Sequence, residues 1–446
     1  MIRRAVPLAG LALALAACGG APQQQAQAPA QDKPAALDLK TSTTAAAKGL
    51  DKVTWNLPYE PQTIDPIRSF NYAENTALAN MCESLLRLTP DFKIEPGLAE
   101  KADNPTPTTW VYTIRKGVKF WDGKELTAKD VAASLNRHLD PALGTWWGDY
   151  FHTVDKIEAT GPMTVTVTLK QPDVLFNQAM ATAAGAIVSE AYAGKKDLGS
   201  PTAGVMCTGP FTFKGWKPGD SLTLARNDSY WDPALAAKSK ELVFRFIADE
   251  TTAVNALRSG EVDGQYFYLP PAGLAQLRSS TTGSVTLGKS LTFWTLLSAA
   301  QSGPYADPKV RQALSLALDR AAIAKVVFQG TAAPQRTLAG AEYWGYEENT
   351  FKQAYDALPP ETQDLAKAKQ LLTEAGSPTE PITIGIQGSA ATHEQTTNLI
   401  KATGVPWAAW RWACWRACVA AGSRASSASS PPSCWPRRRS SSACCW

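Results

Sequence analysis

Side chains that could perform catalysis are few and scattered in this sequence of 446 residues. It contains three histidines, His138, His152 and His393, and neither Gly-x-Ser-x-Gly nor His-Glu-x-x-His occurs. A nucleophile with its base, or a set of zinc ligands, cannot be assembled from residues at this spacing. The sequence therefore predicts neither an enzyme nor a protein with a metal ion or another cofactor, and it argues against an exported hydrolase.

One cysteine lies in a pattern that predicts covalent modification. Arg3 and Arg4 precede an apolar run, residues 5–17, that is too short to span a bilayer and is typical of a cleaved export signal. The letters LAAC at 15–18 resemble the bacterial lipobox, in which the cysteine, here Cys18, is diacylated and becomes the first residue of the mature chain. The alternative is a plain secretory signal with a chance cysteine. We expect a signal peptide over 1–17 and an extracytoplasmic protein anchored by lipid to the cell membrane.

A spacer follows the signal. Residues 18–50 are rich in Gln, Ala, Pro and Thr and nearly lack large apolar side chains. Such a segment cannot bury enough surface to fold, so it predicts a disordered tether that holds a soluble body near a membrane.

Charge is unevenly distributed along the chain. Residues 402–446 hold six Arg, six Trp and five Cys but no Asp, Glu or Lys. Without those arginines and without Arg3 and Arg4, 36 basic residues stand against 40 acidic ones. This mildly acidic body argues against nucleic acid as a partner.

Strand and helix patterns alternate through the body, which predicts an α/β protein. Apolar residues alternate with polar ones over 110–114 and 165–169, and a Pro-Gly-Asp turn at 218–220 separates two strand-like runs. Four helices have N-terminal signals: Thr127 with Asp130, Asp307 before Pro308, Asp319 with a helix to Gly330, and Asp364 with a stop at Gly376. A further strand is expected to begin at Ile382, Ile384 and Ile386.

Several segments, in order and over about residues 52–401, resemble the oligopeptide/dipeptide-binding family of extracytoplasmic solute-binding proteins, the receptors of peptide ABC importers. The segments are YEPQTIDP (59–66), CESLLRLTPDFKIEPGLAE (82–100), RKGVKFWDGKELTAKDVAASLNR (115–137), TGPFTFKGWKPGDSLTLARNDSYWD (208–232), ADETTAVNALRSGEVDG (248–264), PYADPKVRQALSLALDRAAIAKVVFQG (304–330) and DLAKAKQLLTEAG (364–376).

The resemblance implies a two-lobed hinge fold of the type II periplasmic-binding class. Lobe I would cover 51–270, with an inserted subdomain at about 96–195, and 271–401 would form part of lobe II. A monomer would trap a peptide between the lobes and deliver it to the membrane subunits of an ABC permease. Two alternatives stay open: a surface receptor that signals without transport, and a non-peptide solute such as a nickel complex, haem or a sugar.

Position relative to the family segments also suggests ligand contacts. A receptor for many peptides should bind the shared backbone and provide aromatic walls. For each aromatic residue, burial in the core of a strand is the alternative. GVKFWDG at 117–123 reads as a hairpin turn without a ligand role. The expected ligand residues are Asn71, Tyr72, Gln265, Tyr266, Phe267, Phe293 and Trp294.

Two cysteines of the body form an even pair. Cys82 and Cys207 fall in segments that the family places in one lobe, and an exported protein meets oxidising surroundings. The resemblance therefore implies a Cys82–Cys207 disulfide, with two buried free thiols as the alternative.

The sequence departs from the family after Lys401. The family's Trp-containing stretch, whose Asp pairs with a peptide amino terminus, is missing, and residues 402–446 show neither helical nor strand periodicity. Cys414 and Cys418 have no partners at zinc-finger spacing. The composition of residues 402–446 is that of a GC-rich gene translated in a wrong reading frame. We expect a frameshift near codon 402, an aberrant disordered tail, and a product that is defective in binding.

Overall fold

The computed structural model describes most of the body of the chain. Cys18 and Phe267 lie outside the described residues, as do the signal segment, most of the tether and most of the tail. The described residues are 38–40, 42–90, 92–266, 273–288, 290–297, 302–338, 340, 347–359, 361–380, 382–386, 391–403 and, for the backbone, 411–414.

Strands and helices are interleaved along these residues. The strands are β1 (Lys52–Leu57), β2 (Leu86–Leu88), β3 (Ile94–Pro96), β4 (Ala99–Thr106), β5 (Thr109–Ile114), β6 (Val154–Gly161), β7 (Thr164–Leu169), β8 (Phe211–Lys217), β9 (Ser221–Arg226), β10 (Glu241–Phe246), β11 (Gly264–Gln265), β12 (Thr383–Ile386) and β13 (Arg411–Cys414). The helices are α1 (Tyr72–Met81), α2 (Ala128–Asn136), α3 (Phe176–Ala179), α4 (Glu190–Ala193), α5 (Glu250–Ser259), α6 (Leu274–Arg278), α7 (Pro308–Ala317), α8 (Arg320–Val326), α9 (Glu348–Ala357), α10 (Leu365–Glu374) and α11 (Ala391–Lys401).

A five-stranded sheet forms the first core. Its order is β11-β1-β10-β9-β8, with β1 parallel to both β10 and β11 and with β10, β9 and β8 antiparallel. Leu57, Leu222, Leu224 and Phe244 are buried on it together with residues of α1. Since β1 leads to α1 and β10 leads to α5, two helices begin near one edge of the sheet.

Most of the buried residues between α1 and β8 form a second core, whereas Val188, Leu198 and Val205 pack in the first core. Four antiparallel strands in the order β4-β5-β7-β6 carry alternating buried residues, including Tyr112 and Val167, as the period-two pattern predicts. Helix α2 packs on them, and its N terminus has the expected reciprocal capping box between Thr127 and Asp130. A short hairpin, β2 paired with β3, precedes this sheet.

Covalent and polar contacts close the junction where the chain leaves the first core after α1 and returns to it before β8. Cys82 and Cys207 form a disulfide with their Cα atoms 5.0 Å apart. Next to it, Glu83 accepts hydrogen bonds from the Thr208 hydroxyl at 2.8 Å and from Trp231 Nε1 at 2.9 Å. The GVKFWDG segment is a turn, and Trp121 Nε1 donates to the Gly209 carbonyl at 3.3 Å, so the segment has a structural contact there.

Helices of the C-terminal half form a third core. Buried residues of α7 and α10, Leu314 and Leu371 among them, pack with Ile400 of α11. Asp307 and Asp364 cap α7 and α10 as their positions predict. Helix α8 ends at Val326, before the expected Gly330, because the chain turns and the Gly330 N–H donates back to the Ala324 carbonyl.

Two stretches differ from the sequence expectations. Lys40 pairs with Leu287 and the Lys238 ammonium contacts the Ala46 carbonyl, so part of the expected tether lies against the body. Strand β13 pairs in parallel with β12, although no strand was expected after residue 401. An open strand edge needs only backbone groups from its partner, which explains pairing without a period-two pattern.

Within the described ranges, no helix combines the length and apolar character needed to cross a membrane.

Candidate ligand site

The carboxyl ends of β1, β10 and β11 meet at one edge of the five-stranded sheet, and Asn56 ties them together. Its side chain is fully buried. Its Nδ2 donates to the Ile247 carbonyl at 3.2 Å and to Gln265 Oε1 at 3.0 Å, and its Oδ1 accepts from the Ile247 N–H at 2.9 Å. Ligands of α/β proteins bind beside such strand ends. Sequence reasoning missed Asn56, since its partners lie about 190 and 209 residues away.

The N terminus of α1 lies at this edge. Asn71 is the N-cap residue, and its Oδ1 accepts the Tyr72 N–H at 3.0 Å. The Tyr59 hydroxyl accepts the next N–H of the helix, that of Ala73, at 3.1 Å. The exposed side chain of Tyr72 projects from a firmly capped turn.

The loop that leads into α1 is fixed by a buried ion pair. Arg137 Nη1 and Nη2 donate to Asp65 Oδ1 and Oδ2 at 2.8 and 2.7 Å, and both side chains are nearly inaccessible to solvent. Gly199 lies against the backbone of Asp65 with φ +82°, and a Cβ there would approach the Asp65 nitrogen to 2.2 Å. The second core thus positions the loop through Arg137, another residue that sequence reasoning missed.

The structure brings two of the expected ligand segments together. The Tyr72 hydroxyl lies 2.9 Å from Thr292 Oγ1, directly before Phe293 and Trp294. Phe293 and Trp294 keep 46% and 42% of their surface exposed. These aromatic side chains are accessible to a ligand instead of being buried in a strand.

Trp294 connects this segment to the start of α11. Its ring centroid lies 5.2 Å from that of Phe328 and 4.6 Å from that of His393. Burial lowers the pKa of His393, so its imidazole is neutral near pH 7, and its Nδ1 has no hydrogen-bond partner among the described residues. A buried ring nitrogen of this kind can accept a hydrogen bond from a ligand or donate one to it, depending on the tautomer.

A carboxylate from α5 completes the arrangement. The Thr392 hydroxyl donates to Glu250 Oε1 at 3.5 Å, which joins the N-terminal turns of α11 and α5. Desolvation by burial raises the pKa of Glu250. The side chains of Tyr72, Trp294, His393 and Glu250 therefore combine aromatic surface with polar groups and one acidic group.

The remaining expected residues occupy the neighbouring strand. Gln265 is engaged with Asn56, and Tyr266, just past the end of β11, is 61% exposed. Phe267 lies outside the described residues. Among the residues that the structure describes, no cluster of three metal-ligating side chains occurs.

An α/β architecture with helix N termini and exposed aromatic rings beside parallel strand ends is suited to binding a small ligand, as in solute-binding proteins. The chain belongs to a known family of this class, described as bacterial extracellular solute-binding proteins, family 5 Middle, whose profile matches residues 93–403. Proteins of this family are extracytoplasmic and serve in transport.

Similar proteins extend the comparison. The glutathione-binding protein GsiB of Escherichia coli K12 is 30% identical over 319 residues, which are 71% of this chain and 60% of GsiB. The chain thus spans about 60% of the length of the curated relatives that it matches.

Solved structures share the fold. The agropinic acid complex of AgaA from A. tumefaciens R10 has TM-score 0.67 and 26% identity, covering 81% of this chain and 72% of AgaA. AppA of Bacillus subtilis, in complex with a nonapeptide, has TM-score 0.70 and 23% identity, covering 84% and 76%. These likenesses confirm the expected two-lobed α/β fold class of the peptide-binding cluster.

Proposed function

We propose that the chain represents a substrate-binding protein of an ABC importer that captures peptides at the site around Tyr72 and Trp294. The observation that carries the proposal is the contact of the Tyr72 hydroxyl with Thr292, which joins the first-sheet edge to the segment of Phe293 and Trp294. In this proposal, lobe I covers 51–270 and lobe II starts at 271, so the contact crosses the cleft between them.

The site has the chemistry that peptide binding needs. Strand β11 is at the edge of its sheet and has two residues, so a peptide backbone can extend the sheet beside Gln265 and Tyr266. Exposed rings at Tyr72, Phe293 and Trp294 provide apolar walls. AppA was solved with a nonapeptide and GsiB is named for glutathione, which supports a ligand with peptide bonds.

Calorimetric titration with Ala-Phe-Ala and with glutathione tests the ligand class, and mass spectrometry of ligand that co-purifies tests it without a preselected compound. In a frame-restored chain we expect a co-purified peptide, and we expect Tyr72→Ala to bind peptide more weakly. A nickel complex, haem or sugar as the co-purified ligand would exclude the peptide assignment. If permease and ATPase genes lie beside this one, import is favoured over a signalling receptor.

We further propose that Cys18 carries the lipid and that residues 18–50, apart from the stretch near Lys40 and Ala46 that contacts the body, act as a tether to the membrane. The lipobox-like LAAC at 15–18 supports this, and a plain secretory signal is the alternative. Metabolic labelling with a radioactive fatty acid should mark the wild-type protein and leave Cys18→Ser unlabelled. Equal labelling of both proteins would contradict the anchor.

The tail is proposed to arise from a shifted reading frame, and the product to be impaired in binding. The family match ends at residue 403, beside the change of composition at 402. Translation of the other two frames beyond codon 401 tests this: one should contain the missing Asp-Tyr stretch and a family-like continuation. If the chain with this tail bound peptide as tightly as a frame-restored version, the impairment would be excluded.

A further inference from the structure

Two aromatic rings stack on each other at the surface beside α1. Phe70 precedes the N-cap residue Asn71, and Trp146 comes from the second core. Their centroids are 4.1 Å apart with planes at 24°. Phe70 nevertheless remains 43% exposed and Trp146 58% exposed. The pair leaves aromatic surface open to solvent, which is unusual for rings that could pack inward.

Hydrogen bonds to the backbone hold this pair in place. The Trp146 N–H donates to the Ile67 carbonyl at 2.8 Å, and Trp147 Nε1 donates to the Pro66 carbonyl at 3.1 Å. The same loop is anchored by the buried ion pair of Asp65, described above. Because the rings are fixed by their framework, little further ordering is required when another group packs against them.

We infer that Phe70 and Trp146 form an aromatic subsite at the rim of the ligand site, which takes a flat apolar side chain of a bound peptide. This inference rests on the proposed function and names a part of its substrate. Continuity determines the occupant: Phe70 lies two residues before Tyr72, whose hydroxyl meets Thr292 in the site. A third ring stacked on the pair strengthens binding by about threefold to tenfold.

Calorimetry on the frame-restored chain, which serves as wild type, tests the subsite with Ala-Ala-Ala and Ala-Phe-Ala. We expect wild type to prefer Ala-Phe-Ala by about threefold to tenfold, and Trp146→Ala to abolish the preference while its affinity for Ala-Ala-Ala stays unchanged. Trp146→Phe should retain the preference. The control Phe92→Ala, which removes an exposed ring from the β2–β3 turn, should also retain it. A preference that persists in Trp146→Ala, or an equal loss for both peptides, overturns the inference.

Indole is the second probe, because it needs no recognition of a peptide backbone. Saturation-transfer NMR should show contact with indole in wild type and in Trp146→Phe, and a loss of that signal in Trp146→Ala. If neither peptide binds to wild type, the proposed function fails and the indole signal still decides the subsite. If Trp146→Ala gives the same indole signal as wild type, the aromatic subsite is excluded.

Discussion

Asn56 and Arg137 expose almost nothing to solvent, yet they hold the segments that carry the exposed rings of the ligand site. Asn56 fixes the ends of three strands through its amide, and Arg137 fixes the loop before Tyr72 through Asp65. A buried polar group without its partner is costly, so each of these side chains enforces one local geometry. At the residue scale, buried polar side chains beneath the surface fix the segments that carry the exposed residues of the candidate site.

Removal of the buried guanidinium should destabilise the fold strongly. Arg137→Ala leaves the Asp65 carboxylate buried without its cation, and we expect the free energy of unfolding to fall by about 3–5 kcal/mol. Arg226→Ala is the matched control, because Arg226 pairs with Asp228 at the surface and should change stability by less than about 1 kcal/mol. Urea denaturation measures both; similar losses would contradict the role of burial.

The buried His138 should make stability depend on pH. Desolvation by burial lowers its pKa to about 3 in the folded protein, while its ring stacks on Phe151. Since the unfolded chain binds the proton at about pH 6.5, this contribution to stability is complete above pH 6.5 and is lost progressively as pH falls towards 3.

At pH 5 the loss from His138 amounts to about 2 kcal/mol relative to pH 7.5. Urea denaturation at both pH values should show this loss in wild type and in His152→Gln, whose histidine is exposed. His138→Gln should lose less stability on acidification. An identical pH dependence in all three proteins would show that His138 does not titrate in this way.

At the scale of elements, sequence patterns correctly predicted those helices and strands that are determined by residues close together in the chain. The capping box at Thr127 and Asp130 and the alternation through Tyr112 depend on residues within a few positions of one another. The site depends on distant pairs, such as Tyr72 with Thr292, and no local pattern encodes these contacts. The sequence resemblance supplied positions for the exposed aromatic residues, but it could not supply the buried groups behind them.

The disulfide is the element-scale constraint that can be tested most directly. Cys82 and Cys207 are 125 residues apart, so the bond closes a long loop of the unfolded chain. Cys82→Ser with Cys207→Ser should lower the free energy of unfolding by about 2–5 kcal/mol. Proteolytic mapping without reduction should recover the two cysteines in one linked peptide pair; recovery as two alkylated free thiols would exclude the bond.

For the whole molecule, we expect a two-lobed fold to open and close around the candidate ligand site. We proposed that Tyr72 and Thr292 belong to opposite lobes, and their side chains meet at 2.9 Å. A ligand can favour the closed arrangement only through contacts that it makes with both sides. We therefore expect Tyr72 and Trp294 to contribute to closure as well as to affinity.

Closure predicts a ligand-dependent cross-link. In a frame-restored chain whose unpaired cysteines are replaced by Ser, Tyr72→Cys with Thr292→Cys should form a disulfide faster when Ala-Phe-Ala is present. Ser239→Cys with Leu50→Cys is the control, since their contact lies away from the ligand site and should form at one rate with or without peptide. Closure would be contradicted if the Tyr72→Cys/Thr292→Cys disulfide formed at the same rate with and without Ala-Phe-Ala. Non-reducing electrophoresis measures both rates.

The join between the first and second cores has a consequence for engineering. Because the Cα atoms of Cys82 and Cys207 are 5.0 Å apart, the chain leaves the first core and returns to it at almost one point. The intervening residues form a cassette whose ends a short linker could bridge, provided that Asp65, which would lose Arg137, is neutralised and that the first-core contacts of Val188, Leu198 and Val205 are replaced. Recombination could exchange such a cassette between relatives and alter the rim around Trp146 while leaving the strand ends of the ligand site in place.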